Sequence, residues 1–528
     1  MLKHPVPLAG CLLFVACGCL LLPYAGLQND EALFGAGIYE ARHTADFLTI
    51  GRREIPLMLM GYLGTLKAWL YAPLFKIWAP SALSVRLPVL LAGAATVWLF
   101  YRLLERLAGK RAALVGCALL STDATFLLTT CFDWGPVALQ HLLLVSAVVA
   151  FQDFQRARSL AAACFCCGLA AWDKALFFWL AAGLAVATAA VFPRELFRSL
   201  TRKNVAVAAG AFFMGALPLV VYNLRHPLAT FRGHEGLDFS DARGKTLHLK
   251  STLEGTALFG YIPRDDPEGH PREPSSTLER AAVRLSQATG ERRTGFLPQA
   301  LVVAVLLMPL VWRTPARRTL LWTATAFLVA WGLMVMTRGA GGSAHHVVLL
   351  WPLPHLFVAV AFAGASERLH ASPWLPAAVA VFLAGANLLV VNKHLAQLIR
   401  NGPGKAWTDA MYGLSDALKT IPASEIYVND WGMLDSLRLL HRGRLPLRVG
   451  SDPLSKADFN EADRRVVLQR LASPGAIFIA HSDGNEEFHG VNARMRTVVQ
   501  AAGYRQQMLA RIPDRNGRVL FEVYRCSR

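Results

Sequence analysis

Directly after the first long apolar run, Asn29-Asp30-Glu31 sets two adjacent carboxylates where the sequence first turns polar. Beside a bilayer water is scarce, so burial raises the proton affinity of at least one of them and makes it a candidate base. The competing reading is ordinary interfacial capping, because Asn-Asp-Glu is also a good helix start. Other ionisable groups stand at the edges of later apolar runs: Asp133 in Phe132-Asp133-Trp134-Gly135-Pro136, and Asp173 with Lys174 in Ala171-Trp172-Asp173-Lys174. Charges this close to hydrocarbon are costly and are candidates for function, with a mutual ion pair or a snorkelling lysine as the alternative. Asp123, inside another run, reads as a structural partner of Thr122 or Thr125 and is left unassigned.

A later loop, Thr337-Arg338-Gly339-Ala340-Gly341-Gly342-Ser343-Ala344-His345-His346, joins an arginine, a glycine-rich turn, a hydroxyl and two histidines. Glycines let successive backbone N–H groups face an anion, the helix start that follows adds positive potential, and Arg338 can fork onto a phosphate. The loop therefore reads as a phosphate-binding element, against a plain connecting loop or a histidine metal site. No metal-ligand spacing stands in the sequence, although Asp30, Glu31 and Asp133 are of the type that holds a divalent ion.

What must position these groups is an array of apolar helices. Of 528 residues 54% are hydrophobic and only 17% charged, and mean hydropathy is positive, so most of the chain must meet lipid. About eleven stretches approach the length of a spanning helix: roughly 7–27, 86–104, 111–129, 135–152, 159–173, 175–192, 204–223, 297–312, 319–337, 347–365 and 373–391. Leu66 to Pro80 carries Lys67 and Lys76, is interrupted by Pro73, and reads as an interfacial helix. The first run lacks a small-x-small cleavage site and is read as a retained span.

The net charge of +18 does not point to nucleic acid, because Lys and Arg fall in short loops between apolar runs and no basic stripe is interleaved with exposed aromatics. With the N-terminus inside, the cytoplasmic loops hold Lys3, the groups Arg102 to Arg111, Arg156 and Arg158, Arg194 to Lys203, Arg313 to Arg318, and Arg368. The opposite short loops hold fewer cations, which favours this orientation. Residues 28–85, 130–134, 224–296, 338–346 and everything after 392 then face outward. Of these, 224–296 is too long for a mere connection. The tail alternates helical segments with strand signals at Glu425 to Asn429, Pro446 to Val449, Gly475 to Ala480 and Arg518 to Tyr524. That pattern predicts an extracytoplasmic α/β domain over 392–528 with a mainly parallel sheet, following a transmembrane domain over 1–391. Of the nine cysteines all but Cys526 lie in or beside apolar runs, with neither disulfide nor zinc spacing.

The order of motifs carries a resemblance. The acidic pair after the first span is followed by Gly64-Thr-Leu-Lys67, Ser84-Val-Arg86-Leu-Pro88, Asp133-Trp-Gly-Pro136, Gly168-Leu-Ala-Ala-Trp-Asp-Lys174 and Gly215-Ala-Leu-Pro218-Leu-Val-Val-Tyr222-Asn223. Over roughly residues 20–390 this resembles the C-type glycosyltransferase superfamily, in the branch of protein O-mannosyltransferases and aminoarabinose transferases of lipid A. The resemblance implies a polytopic helical fold, a polyprenyl-phosphate sugar donor lodged between helices, inversion at the anomeric carbon, and a first-loop aspartate acting on the acceptor hydroxyl. That aspartate is Asp30 with Glu31 beside it, and Asp133 is the second outer-loop acid. Lys67, Lys174, Arg338, His345 and His346 become candidates for the donor phosphate. The Arg-Tyr-x-x-Pro type of segment found in aminoarabinose transferases is replaced by the Arg338 to His346 loop, so assignments there are physical and not transferred.

The expected function is an inverting glycosyltransferase of the cell inner membrane, moving a sugar from a polyprenyl-phosphate carrier to an extracytoplasmic glycan, lipid or protein. The rival is a transporter or flippase of a lipid-linked saccharide. Against it, no pair of related halves is evident, and the ionisable groups gather at one face instead of the midplane.

Overall fold

The computed structural model describes residues 5–232, 236–290 and 294–528. Lys3 of the cytoplasmic cation set, and short pieces of the 224–296 loop, lie outside them. Among the described residues, five helices are long and apolar enough to cross a membrane: Pro5–Tyr24, Ala82–Thr122, Ala316–Met336, Ala344–Arg368 and Trp374–Arg400. The number rises to seven if each bent pair, Phe177–Val191 with Pro193–Ser199 and Arg202–Gly215 with Leu217–Arg225, is one span. Val137–Phe151 and Leu297–Val311 are shorter apolar helices. Large apolar side chains such as Leu12, Leu306, Leu328, Val381 and Phe382 stay exposed on the outer helices, as lipid-facing residues would.

Residues 82–122 form two helices that meet at Gly109, where the backbone leaves the helical region with φ at +79°, a value that suits glycine. The two arms fold back on one another, since a Cβ on Gly116 would lie 2.1 Å from Leu104, and together they pack against Pro5–Leu21, Val137–Phe151, Leu353–Arg368 and Trp374–Arg400. The expected run 111–129 is broken at Asp123, which leaves the helix and caps the next one, Ala124–Cys131, by accepting the Phe126 N–H at 2.7 Å. Its other oxygen meets His355 Nε2 at 3.1 Å, so its partner is neither Thr122 nor Thr125. Elsewhere small residues bring helices close: a Cβ on Gly168 would lie 2.1 Å from the Phe212 carbonyl oxygen of the facing helix.

Two loop structures frame the site. In the first loop, β1 (Asp46–Ile50), β2 (Arg53–Met60) and β3 (Leu63–Gly64) form an antiparallel sheet, which the sequence reading did not anticipate. The sheet is fixed to the Asp173–Lys174 turn, since Leu63 bridges Lys174 and Trp172 Nε1 donates to the Leu57 carbonyl at 2.9 Å. Leu66–Ile77 is one helix with Pro73 inside it. In the long loop, Lys245 donates to the carbonyls of Val335 and Thr337 at 2.9 and 2.8 Å. It thereby caps the helix that leads into the glycine-rich loop.

The tail folds around a second sheet of β4 (Ile426–Val428), β5 (Leu447–Val449), β6 (Ile477–His481), β7 (Arg505–Pro513) and β8 (Val519–Ser527), ordered β5-β4-β6-β8-β7. The first three are parallel, and the last two form an antiparallel hairpin. The sequence reading missed β7 because Arg505-Gln-Gln-Met-Leu-Ala-Arg511 shows no run of β-branched residues. The helix Leu434–Leu440, which follows β4, packs onto the loop after the first apolar helix: Asn29 Oδ1 accepts the Asp435 N–H at 3.2 Å, Ser436 Oγ donates to the Leu27 carbonyl at 3.0 Å, and Arg438 pairs with Glu40 at 2.8 Å.

Candidate active site

Asp30 and Glu31 share the one-turn helix Asn29–Ala32, whose Asp30 and Glu31 N–H groups are capped by Gln28 Oε1 at 2.6 and 3.2 Å. Successive residues on a helix point about 100° apart, so the two carboxylates diverge. Glu31 turns inward and is fully buried. Arg86 grips it with Nε to Oε1 at 2.7 Å and Nη2 to Oε2 at 2.8 Å. The remaining donors of Arg86 go to the carbonyls of Leu22, Ala25 and Gly26, so the end of the first helix is clasped around one guanidinium.

Asp133 is likewise fully buried. Its Oδ2 meets Lys67 Nζ at 2.5 Å and its Oδ1 accepts the Ala138 N–H at 3.1 Å. Lys67 also donates to the Glu31 carbonyl at 3.3 Å and lies 4.5 Å from the Phe34 ring centroid. Lys67 is thus turned into the protein against Asp133.

Asp30 differs from both. It is half-buried, and among the described residues no cation sits within ion-pair distance of it. Its Oδ2 accepts the Trp134 indole N–H at 3.2 Å. Burial raises its proton affinity above the ordinary aspartate value, while the Trp134 and Gln28 hydrogen bonds and the Lys174 charge pull the other way. Lys174 is buried, donates to the Gly135 carbonyl at 2.8 Å, and is pushed down to about 8 by burial against the attraction of Asp173, Asp133 and Asp30.

Gly135 joins the two halves of the site. A Cβ there would lie 3.2 Å from Lys174 Nζ and 3.4 Å from His345 Cδ2, and its φ of +71° favours glycine. An ammonium and an imidazole therefore flank one glycine beside Asp30. His345 Nδ1 meets Ser343 Oγ at 3.0 Å, and its ring lies 4.1 Å from Trp134. His346 follows with its ring 4.2 Å from that of His345. Arg338 is exposed at the start of the loop, near Asp238. Among the described residues, no group of three or more His, Cys, Asp or Glu side chains is arranged to hold a metal ion.

Asp30, Lys174 and His345 are thus brought together. Glu31 with Asp133 and Lys67 forms a buried layer beneath them, and Arg338 stands apart. Sequence reasoning placed Arg86 and Trp134 within motifs but gave neither a role, and it did not single out Tyr261. Arg86 had a usable signal, a cation one turn into an apolar helix. Tyr261 had none, being one aromatic in a long polar loop.

Residues 64–222 match the family model of dolichyl-phosphate-mannose-protein mannosyltransferase. Among curated proteins no sequence match was found. The fold is similar to ArnT from Cupriavidus metallidurans bound to undecaprenyl phosphate, with 14% identity, 97% of each chain covered and a TM-score of 0.55. The apo state of that protein gives a TM-score of 0.56, again at 14% identity over 97% of each chain. The archaeal oligosaccharyltransferase AglB from Archaeoglobus fulgidus, in complex with an inhibitory peptide and a dolichol-phosphate, is similar at 11% identity. That match covers 96% of this chain and 73% of the other, with a TM-score of 0.51. Over residues 64–222 the chain is thus similar to the mannosyltransferase family, and its overall fold is that of the ArnT and AglB structures.

Proposed function

We propose that this enzyme transfers a sugar, with inversion, from a polyprenyl phosphate to a hydroxyl of an extracytoplasmic acceptor, using Asp30 as the base. The observation that carries the reading is the contrast among the three acids: Glu31 and Asp133 are each held by a buried cation, whereas Asp30 is half-buried and turned toward Lys174 and Trp134. The acceptor oxygen attacks the anomeric carbon, the bond from that carbon to the phosphate oxygen breaks, and Asp30 takes the hydroxyl proton. The phosphate leaves as an anion and needs no acid if cations receive it. Lys174 on one side of Gly135 is suited to that role, and His345 on the other, kept neutral by burial, can offer a ring N–H to the same oxygens, with His346 behind and Arg338 at the rim. Glu31, Arg86, Asp133 and Lys67 hold the floor.

Undecaprenyl phosphate and dolichol-phosphate in the two similar structures support a polyprenyl carrier. In the same reading the chain crosses the inner membrane eleven times with its N-terminus inside, and residues 392–528 cover the site from outside. Reporter fusions after His394 and after Arg313 should then give opposite sides; the same side for both would refute this topology. Catalysis is tested with purified protein, a sugar-charged polyprenyl phosphate and an envelope extract as acceptor. Release of polyprenyl phosphate should depend on the acceptor and should vanish in Asp30→Asn, and acceptor-independent or unchanged release would refute the reaction.

A further inference from the structure

Asp30 stands where several outward segments converge, and a single side chain touches most of them. Trp134 lies between two fixed neighbours in its turn. Asp133 is held by Lys67 Nζ and the Ala138 N–H, and the Gly135 carbonyl is held by Lys174 Nζ. With Asp133 at φ +40° and Gly135 at φ +71°, the turn is an unusual one that presents the intervening indole. The indole N–H reaches Asp30 Oδ2 at 3.2 Å. The ring stacks on Tyr261 of the long outer loop at 4.3 Å and 28°, and packs against His345 of the glycine-rich loop at 4.1 Å. Tyr261 meets Trp407 edge-on at 6.1 Å, at the root of the C-terminal domain, and its carbonyl lies so close to Gly404 that a Cβ there would approach it to 2.2 Å.

We infer that Trp134 is a positioning residue for sugar transfer: its N–H fixes the orientation of the Asp30 carboxylate, and its ring ties that carboxylate to the donor-side loop through His345 and to the acceptor-side loop through Tyr261. The inference rests on the assignment of Asp30 as the base. An aspartate side chain on a one-turn helix can rotate about two bonds, and the directed N–H···Oδ2 hydrogen bond from Trp134, with the Gln28 and Asn29 side chains beside it, holds the carboxylate in one orientation. The same hydrogen bond favours the ionised carboxylate that a base requires. The other charged or titratable groups facing Asp30 are Lys174, Tyr62, Tyr261 and, from the C-terminal domain, Asp435.

The test is a split of kinetic constants across pH with the full-length protein in nanodiscs. Trp134→Phe keeps the ring and removes the donor, so kcat should fall about tenfold, the loss of one hydrogen bond to a charged group. The donor KM should stay within about twofold, because the His345 contact survives. The acid limb of the kcat profile should move to higher pH, since the carboxylate loses a partner that stabilises its charge. Tyr261→Leu keeps the N–H and removes the stacking partner; it should lower kcat by a smaller factor and move the limb in the same direction. Trp134→Ala should in addition raise the donor KM. An unchanged kcat and acid limb in Trp134→Phe, with Asp30→Asn inactive, would overturn the role of Trp134 and leave the base in place. Equal losses in kcat and donor affinity with an unmoved limb would show a merely structural residue and overturn it too. Full turnover by Asp30→Asn would remove the base, and this inference with it.

Discussion

Two neighbouring layers of the same site are built on opposite principles. In the floor, Glu31 with Arg86 and Asp133 with Lys67 are buried and mutually neutralised, and Arg86 places its guanidinium donors on the carboxylate and three carbonyls. In the rim, Asp30 and Lys174 are near one another but not in contact as an ion pair, and each is displaced by burial toward its neutral form. A saturated ion pair fixes geometry and does no proton chemistry, while a group short of partners is free to act on substrate. Adjacent positions in the sequence can therefore have unrelated work.

Breaking the floor should have the largest effect. Glu31→Gln leaves the Arg86 charge buried without its counter-ion, and unpairing a buried ion pair costs about 3–5 kcal/mol. We expect a large fall in thermal midpoint and poor recovery from the membrane, measured by size-exclusion thermal stability in detergent. Asp133→Asn should cost less, about 1–3 kcal/mol, because Lys67 keeps the Glu31 carbonyl and the Phe34 ring as neighbours. The same assay checks it, and Asp133→Asn less stable than Glu31→Gln would reverse the ranking of the two pairs.

Changes at the rim should spare folding and touch ligands. Lys174→Ala should weaken undecaprenyl phosphate by about 10- to 100-fold, the loss of one charge-assisted contact of about 1.5–3 kcal/mol. Because burial holds the Lys174 ammonium down at about 8, the free enzyme loses this charge as pH rises through that value. Donor affinity should therefore decline above about pH 8 in the wild type and stay flat in Lys174→Ala. A binding titration across pH checks both. The smallest effect belongs to Arg338→Ala, which should change donor affinity by about threefold or less, since the residue is exposed and screened by solvent.

Much of the helical frame was legible because apolar runs separated by basic loops report a membrane directly. The break at Asp123 was not, because an aspartate within a hydrophobic run looks like a buried partner until its helix cap and His355 are seen. The β1–β3 sheet was hidden for a related reason: Ile55, Pro56, Leu57, Met58 and Leu59 form an apolar run beside the interfacial helix, with little alternation to mark a strand. At the site, the residue types that gather were readable one by one from their cost near hydrocarbon. Their pairing was not, since nothing in the order of residues says that Lys67 turns to Asp133 while Lys174 turns to the Gly135 carbonyl.

The most direct test sets the two neighbouring acids against each other in one experiment. Purified Asp30→Asn and Glu31→Gln are compared with wild type for thermal midpoint, undecaprenyl phosphate binding and sugar transfer. Asp30→Asn should keep its midpoint and donor binding and lose transfer by about 10²- to 10⁴-fold, the usual cost of removing a general base. Glu31→Gln should lose stability first, with transfer per folded molecule much less affected. Normal transfer by Asp30→Asn, or a folded Glu31→Gln that is catalytically dead, would contradict the division between floor and rim.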